Sequence, residues 1–117
     1  MNRIVMSGLL LQMRFDKRVL VLSPTMHDVR EALHLARQDP LFHDETDSVH
    51  LANGRERITS LTGGWIRFEV LTDPRHLNPR ADLDLVYVTT PAAGWTGDHY
   101  VELLPHLDRR SGEVVLG

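Results

Sequence analysis

Apolar positions along this chain form short blocks separated by turn-forming residues, and the period changes from block to block. Residues 2–15, with Ile4, Val5, Leu9, Leu10, Met13 and Phe15, are spaced for a short amphipathic helix, which Gly8 weakens. After an Asp16-Lys17 turn, the run Arg18–Leu22 reads as a buried strand ending at Ser23-Pro24. Thr25 to Gln38 is the clearest helix. Thr25 and Asp28 sit at capping-box spacing, and Met26, Val29, Leu33 and Ala36 fall on one stripe with Ala32 beside it. Asp39-Pro40 ends that helix, and the acidic segment Leu41–Asp47 reads as a loop.

A β region follows. Val49–Ala52 leads into Asn53-Gly54, a strong hairpin signal, and Arg55–Leu61 returns. Thr62-Gly63-Gly64 turns again into Trp65–Leu71. In that strand Trp65, Arg67, Glu69 and Leu71 face one way and Ile66, Phe68 and Val70 the other, which predicts one packed face and one mostly wet face. Asp73–Arg80 holds two prolines and reads as a loop. The stretch Asp82–Thr90 carries a nearly pure apolar run and predicts a strand buried on both faces in the middle of the sheet. Pro91–Trp95 is a second loop. Thr96–Arg110 is patterned as a helix, with Val101, Leu104 and Leu107 inward and Pro105 placed to kink or split it. Ser111-Gly112 closes it, and Glu113–Leu116 is a last strand. Strand, helix, hairpins, strand, helix, strand is an α/β order with an antiparallel insert, in a single domain spanning residues 1–117.

Composition narrows the function classes. At 117 residues the chain can bury a core of its own, and a formal net charge of -3 provides no general attraction to nucleic acid or acidic membranes. With no cysteine there is no disulfide framework and no thiolate ligand or nucleophile. No apolar run approaches membrane-spanning length, and Met1–Phe15 lacks a cleavage-site pattern, so the expected location is the cytoplasm.

Several segments, taken in order, resemble the ATPase domain of phage terminase large subunits, the DNA-packaging motors. They are Lys17-Arg18-Val19-Leu20-Val21-Leu22-Ser23-Pro24-Thr25, Ala52-Asn53-Gly54-Arg55-Glu56-Arg57-Ile58, Gly63-Gly64-Trp65-Ile66-Arg67-Phe68, Asp84–Val88 and Leu103-Leu104-Pro105-His106-Leu107. The resemblance runs from about Lys17 onward. It implies a three-layer RecA-like core, a central mostly parallel sheet with an antiparallel hairpin insert, and a phage or prophage origin in a bacterial host cell. It also accounts for Pro105, because the family often carries a proline in that helix.

The departures bear on activity. The family's phosphate loop, a glycine-rich turn ending in Gly-Lys-Ser/Thr, has no counterpart, and the only lysine is Lys17. Where the family ends its central strand in Asp-Glu, this chain has Thr89-Thr90. Two hydroxyls cannot replace a metal-holding aspartate and a water-activating glutamate. No catalytic residue carries over, and neither a cofactor nor a metal is expected. The expected function is non-catalytic binding of a protein partner, as a regulator or host-directed inhibitor; the alternatives are a nucleic-acid-binding accessory protein of DNA packaging that uses the Arg/Trp hairpins, and a residual nucleotide-binding ATPase fragment. A missing part of the family fold would also leave a sheet edge open to pairing with a second copy.

Two groups of residues are candidate contact sites. Arg55, Arg57, Trp65 and Arg67 lie on the hairpins, where arginine beside an aromatic suits phosphate contact and base stacking; the plainer reading is a wet sheet face with cross-strand pairing to Glu56 or Glu69. Thr89, Thr90, Trp95 and Thr96 lie just beyond the carboxyl end of the central strand, the edge where open α/β sheets bind ligands; the plainer reading has Trp95 covering the core. His34, His43, Asp44, Asp47 and His50 cluster along the chain and are ligand types that suit zinc, but their spacing matches no defined metal motif, and Asp44 and Asp47 fit a solvated loop. His99 and His106 are expected as surface residues, and Ser23, His27 and Asp84 lack the nucleophile-elbow motif a hydrolase triad would need.

Overall fold

Asn2 opens the first helix, α1 (Arg3–Arg14), by accepting the Val5 amide on its side-chain oxygen at 2.9 Å. The computed structural model describes residues 1–51, 55–70, 82–89, 95–108 and 112–116. Strand β1 (Arg18–Ser23) follows. Helix α2 (Met26–Gln38) starts where its capping signal lies: the Thr25 hydroxyl accepts the Asp28 amide at 3.2 Å.

The segment expected as a loop after α2 is instead a six-residue helix, α3 (Pro40–Glu45), followed directly by β2 (Thr46–His50). Asp39 both ends α2 and caps α3, its carboxylate accepting the Leu41 amide at 2.9 Å, and Pro40 takes the first helical position, where its missing N–H costs nothing. The β2 strand thus begins before Val49 and ends at His50, and Leu51 is exposed.

Strands β3 (Arg55–Ser60) and β4 (Trp65–Val70) are joined by a turn in which Gly63 adopts φ 101°. Gly64 lies against the end of α1: a Cβ there would meet the carbonyl of Met13, with the Lys17 carbonyl oxygen at 2.9 Å. The Thr62 hydroxyl donates to the Arg14 carbonyl at 3.1 Å, tying the same turn to the same helix end. Strand β5 (Leu85–Val88) is buried throughout.

The long helix expected over Thr96–Arg110 is broken. It consists of α4 (Gly97–Val101) and a separate 3-10 turn at Leu104–His106. Pro105 cannot donate to a continuous helical ladder, and it sits at the start of the 3-10 turn instead. Strand β6 (Glu113–Leu116) is the last element. The Asn53-Gly54 turn, the loops at Asp73–Arg80 and Pro91–Gly94, Leu71 and Ser111 lie outside the described residues.

The six strands form one mixed sheet in the order β2-β3-β4-β1-β5-β6. β1 runs parallel to β4 and to β5, and β5 parallel to β6, while β3 is antiparallel to both β2 and β4. β1 and β5 are both interior. On one sheet face Val19, Val21, Ile58, Ile66, Phe68, Leu85 and Tyr87 meet α1 and α2, with Phe42 of α3 packed at the margin. On the other face Leu20, Leu22, Val86 and Val88 are covered by Leu103 and Leu107. β1 and β5 therefore bury both faces, which is why their sequences read as continuous apolar runs. No helix among the described residues is long and apolar enough to cross a membrane.

Candidate functional site

Register brings the hairpin residues together. Arg57 lies opposite Arg67, Arg55 opposite Glu69, and Thr59 opposite Trp65. Pairing across β2 adds His50 opposite Arg57. All these positions share the sheet face turned away from α1 and α2, because Ile58, Ile66 and Phe68 take the other one. Arg57 therefore shares one face with the Trp65–Arg67 pair; the side chain of Arg55 lies outside the described residues.

This face is half-buried and not mostly wet. Trp65 packs against the second core cluster. The Arg67 guanidinium carbon lies 5.2 Å from the Trp65 ring centre, and its Nη1 is 3.6 Å from a Glu69 carboxylate oxygen. Glu69 is thus the local acid. Glu56 points to the helix-covered face opposite Phe68, buried to 6% exposure, so it cannot serve Arg67. Among the described residues Glu56 Oε2 and Arg57 Nε are both buried without a hydrogen-bond partner.

At the carboxyl end of β5, Thr89 is buried and fully engaged. Its amide donates to the Leu22 carbonyl at 3.0 Å. Its hydroxyl donates between the Leu22 carbonyl, at 3.2 Å, and the Ser23 Oγ, at 3.1 Å. Thr90 lies outside the described residues.

Trp95 and Thr96 sit apart from Thr89 in role. The Trp95 ring stacks on His99 with centres 5.5 Å apart, and meets Tyr100 edge-on at 5.3 Å. Thr96 caps α4, and its amide donates to His99 Nδ1 at 3.0 Å, so that nitrogen carries no proton in this arrangement. Trp95 and Tyr100 both pack against the cluster that holds Trp65. The two candidate groups therefore border the same sheet face, a relationship the strand order creates and local pattern does not reveal. Beside the aromatic group, Val101 and Leu104 are 58% and 56% exposed, contrary to the inward placement expected of them. Leu107 does face the core as expected, and the break at the 3-10 turn brings Leu103 inward beside it.

His106 is not the surface residue expected. It is 8% exposed, and burial pushes its imidazole below the usual 6.5, against the opposing pull of Glu102 and Glu69. Its position just after Pro105, at the turn that brings the chain back onto the core, was the available signal.

The remaining polar candidates do not converge. Ser23 is engaged by Thr89, the His27 imidazole faces Glu31 at 3.2 Å, and Asp84 accepts the Arg18 amide at 2.9 Å at the opposite end of β1. Among the described residues no three His, Asp or Glu side chains gather as a metal site would need. Comparison of the chain with protein-family models, with curated proteins and with solved structures returned no match.

Proposed function

We propose that the chain is a non-catalytic binding protein built on a terminase-like, three-layer RecA-like core, encoded by a phage or prophage, and that it acts on a protein partner as a regulator or host-directed inhibitor. The observation that carries the binding reading is the aromatic group Trp95–His99–Tyr100 with Val101 and Leu104 exposed beside it. Tryptophan and tyrosine are the residues enriched at interface hot spots, and exposed apolar surface beside them favours a partner that covers it. The non-catalytic part rests on Thr89. At the position where the resembled family holds a carboxylate, this chain has a hydroxyl spent on Leu22 and Ser23. A purified sample that shows no ATP turnover and no ATP-dependent shift in melting temperature is the expected result; either effect would contradict it.

A second reading, binding of a nucleic-acid strand, is favoured by one observation. Arg57 and Arg67 lie directly opposite each other, an arrangement that repels unless an anion lies between them. Arg67 already has Trp65 and Glu69 as partners, which lowers its call on a phosphate. A salt-dependent gel shift lost in Arg57→Ala would move the function to this face.

A further inference from the structure

One row across the sheet carries three basic groups side by side. Register sets His50 of β2 opposite Arg57 of β3, and Arg57 opposite Arg67 of β4. Directly opposed residues of neighbouring strands hold their Cβ atoms about 5 Å apart, so two long guanidinium side chains reach a common point above the ladder. The next position in the row is Leu20 of β1, which is buried, so the polar part of the row ends at Arg67. Like charges in direct opposition destabilise a sheet, and an anion between them reverses the sign of the interaction.

The local acids do not supply that anion to Arg57. Glu69 lies two positions along the ladder, opposite Arg55, and pairs with Arg67 at 3.6 Å. The Trp65 ring holds the Arg67 guanidinium as well, at 5.2 Å. Glu56, next to Arg57 in sequence, lies on the opposite, helix-covered face. Among the described residues Arg57 forms no ion pair, and its Nε is buried with no hydrogen-bond partner. An unmet buried donor is costly, and a charged one more so, so a turn of the guanidinium that brings Nε to an acceptor is favoured.

We propose that His50, Arg57 and Arg67 form a binding site for a single phosphate group, as the free ion or a monoester. A guanidinium fork pairs with two phosphate oxygens at once, and the second arginine adds its charge at short range. His50, exposed on the edge strand, brings a ring N–H from the other side of Arg57. The site suits one anion and not a run of them. Glu69 repels a second phosphate along the same face, and the net charge of -3 works against a long polyanion. The site shares no residue with the Trp95–His99–Tyr100 group, so it goes beyond the protein-partner reading and stands or falls without it.

Thermal unfolding in inorganic phosphate or in glycerol 3-phosphate, each against sodium chloride at equal ionic strength, tests the site. With a Kd of about 1 mM, about 20 mM phosphate should raise the wild-type Tm by about 5 °C. The rise should saturate. It should vanish in Arg57→Thr, with an unchanged circular dichroism spectrum showing that the variant is folded. It should shrink at least threefold in Arg57→Lys, which keeps the charge and loses the fork. The Arg57 Nε–H resonance should move in a proton–nitrogen correlation spectrum as phosphate is added. A rise with the inorganic ion alone assigns the site to free phosphate, and a rise with the ester admits a monoester; either supports the site. No rise beyond that in chloride, or an Nε–H resonance that stays in place, would overturn the proposal. An equal rise in Arg57→Thr would also overturn it, as the general effect of an ion excluded from protein surfaces. So would a single strand of about ten nucleotides that binds through Arg57 more than a hundredfold more tightly than phosphate, which would make this face a strand contact.

Discussion

Thr89, at the end of β5, places its hydroxyl 3.1 Å from that of Ser23, at the end of β1, and 3.2 Å from the Leu22 carbonyl. The two interior strands are thereby joined at their carboxyl ends by a side chain as well as by the ladder. Thr89→Val keeps the shape and removes the hydroxyl, and should cost about 1 kcal/mol, near the typical worth of a buried hydrogen bond. Thr89→Asp puts a charge beside the Leu22 carbonyl in a buried site, and should cost about 2 kcal/mol or more without creating ATP hydrolysis. Urea unfolding of the two variants checks the order; an aspartate variant as stable as wild type would mean that the site is open to water.

Gly64 and Gly8 should respond to alanine in opposite directions. At Gly64 the added methyl would meet the Met13 carbonyl, and the backbone around the turn would have to move. A loss of about 2 kcal/mol or more is expected. At Gly8 the methyl enters open space in a helix, and a gain of about 0.5–1 kcal/mol is expected. Denaturation midpoints at low protein concentration distinguish the two.

His106 should make stability pH-dependent. Its folded-state pKa lies below 6.5 because burial disfavours the imidazolium. As pH falls through the unfolded value, the unfolded state takes up the proton first, so this contribution is fully present above about pH 6.5 and is lost as pH drops toward the folded value. His106→Gln should therefore flatten the fall in urea midpoint between about pH 7.5 and 5.5. A variant with the same slope as wild type would place the titration elsewhere.

Arg57 faces Arg67 across the β3–β4 ladder and leaves its Nε unpaired. Replacing it with threonine removes the repulsion and suits the strand, so a gain of about 0.5 kcal/mol is expected by thermal unfolding in dilute buffer. A loss above about 1 kcal/mol would mean that the aliphatic stem of Arg57 supports the face more than its charge strains it.

The parts of the fold legible in the sequence are those fixed locally. β1 and β5 announce themselves because both of their faces are buried, and α2 because Thr25 and its stripe lie within one segment. Asp39-Pro40 was legible only as a stop, since the same two residues both end one helix and begin another. The start of β2 at Thr46 depends on pairing with β3 from fourteen positions away at Ser60, and no local pattern carries that. At the candidate site, alternation placed Trp65 with Arg67, but only register placed Arg57 opposite Arg67. The burial of His106 and the exposure of Val101 and Leu104 follow from the break at Pro105. Its effect on facing depends on which core it turns toward.

The most direct test of the binding account is a tagged pull-down from bacterial lysate, with and without nuclease, using the wild-type chain beside Leu104→Glu. The account predicts one stoichiometric protein that survives nuclease and is lost with Leu104→Glu, whose exposed position leaves the fold intact. Recovery of nucleic acid alone, released at raised salt and unaffected by Leu104→Glu, would contradict it and assign the function to the Arg57–Arg67 face.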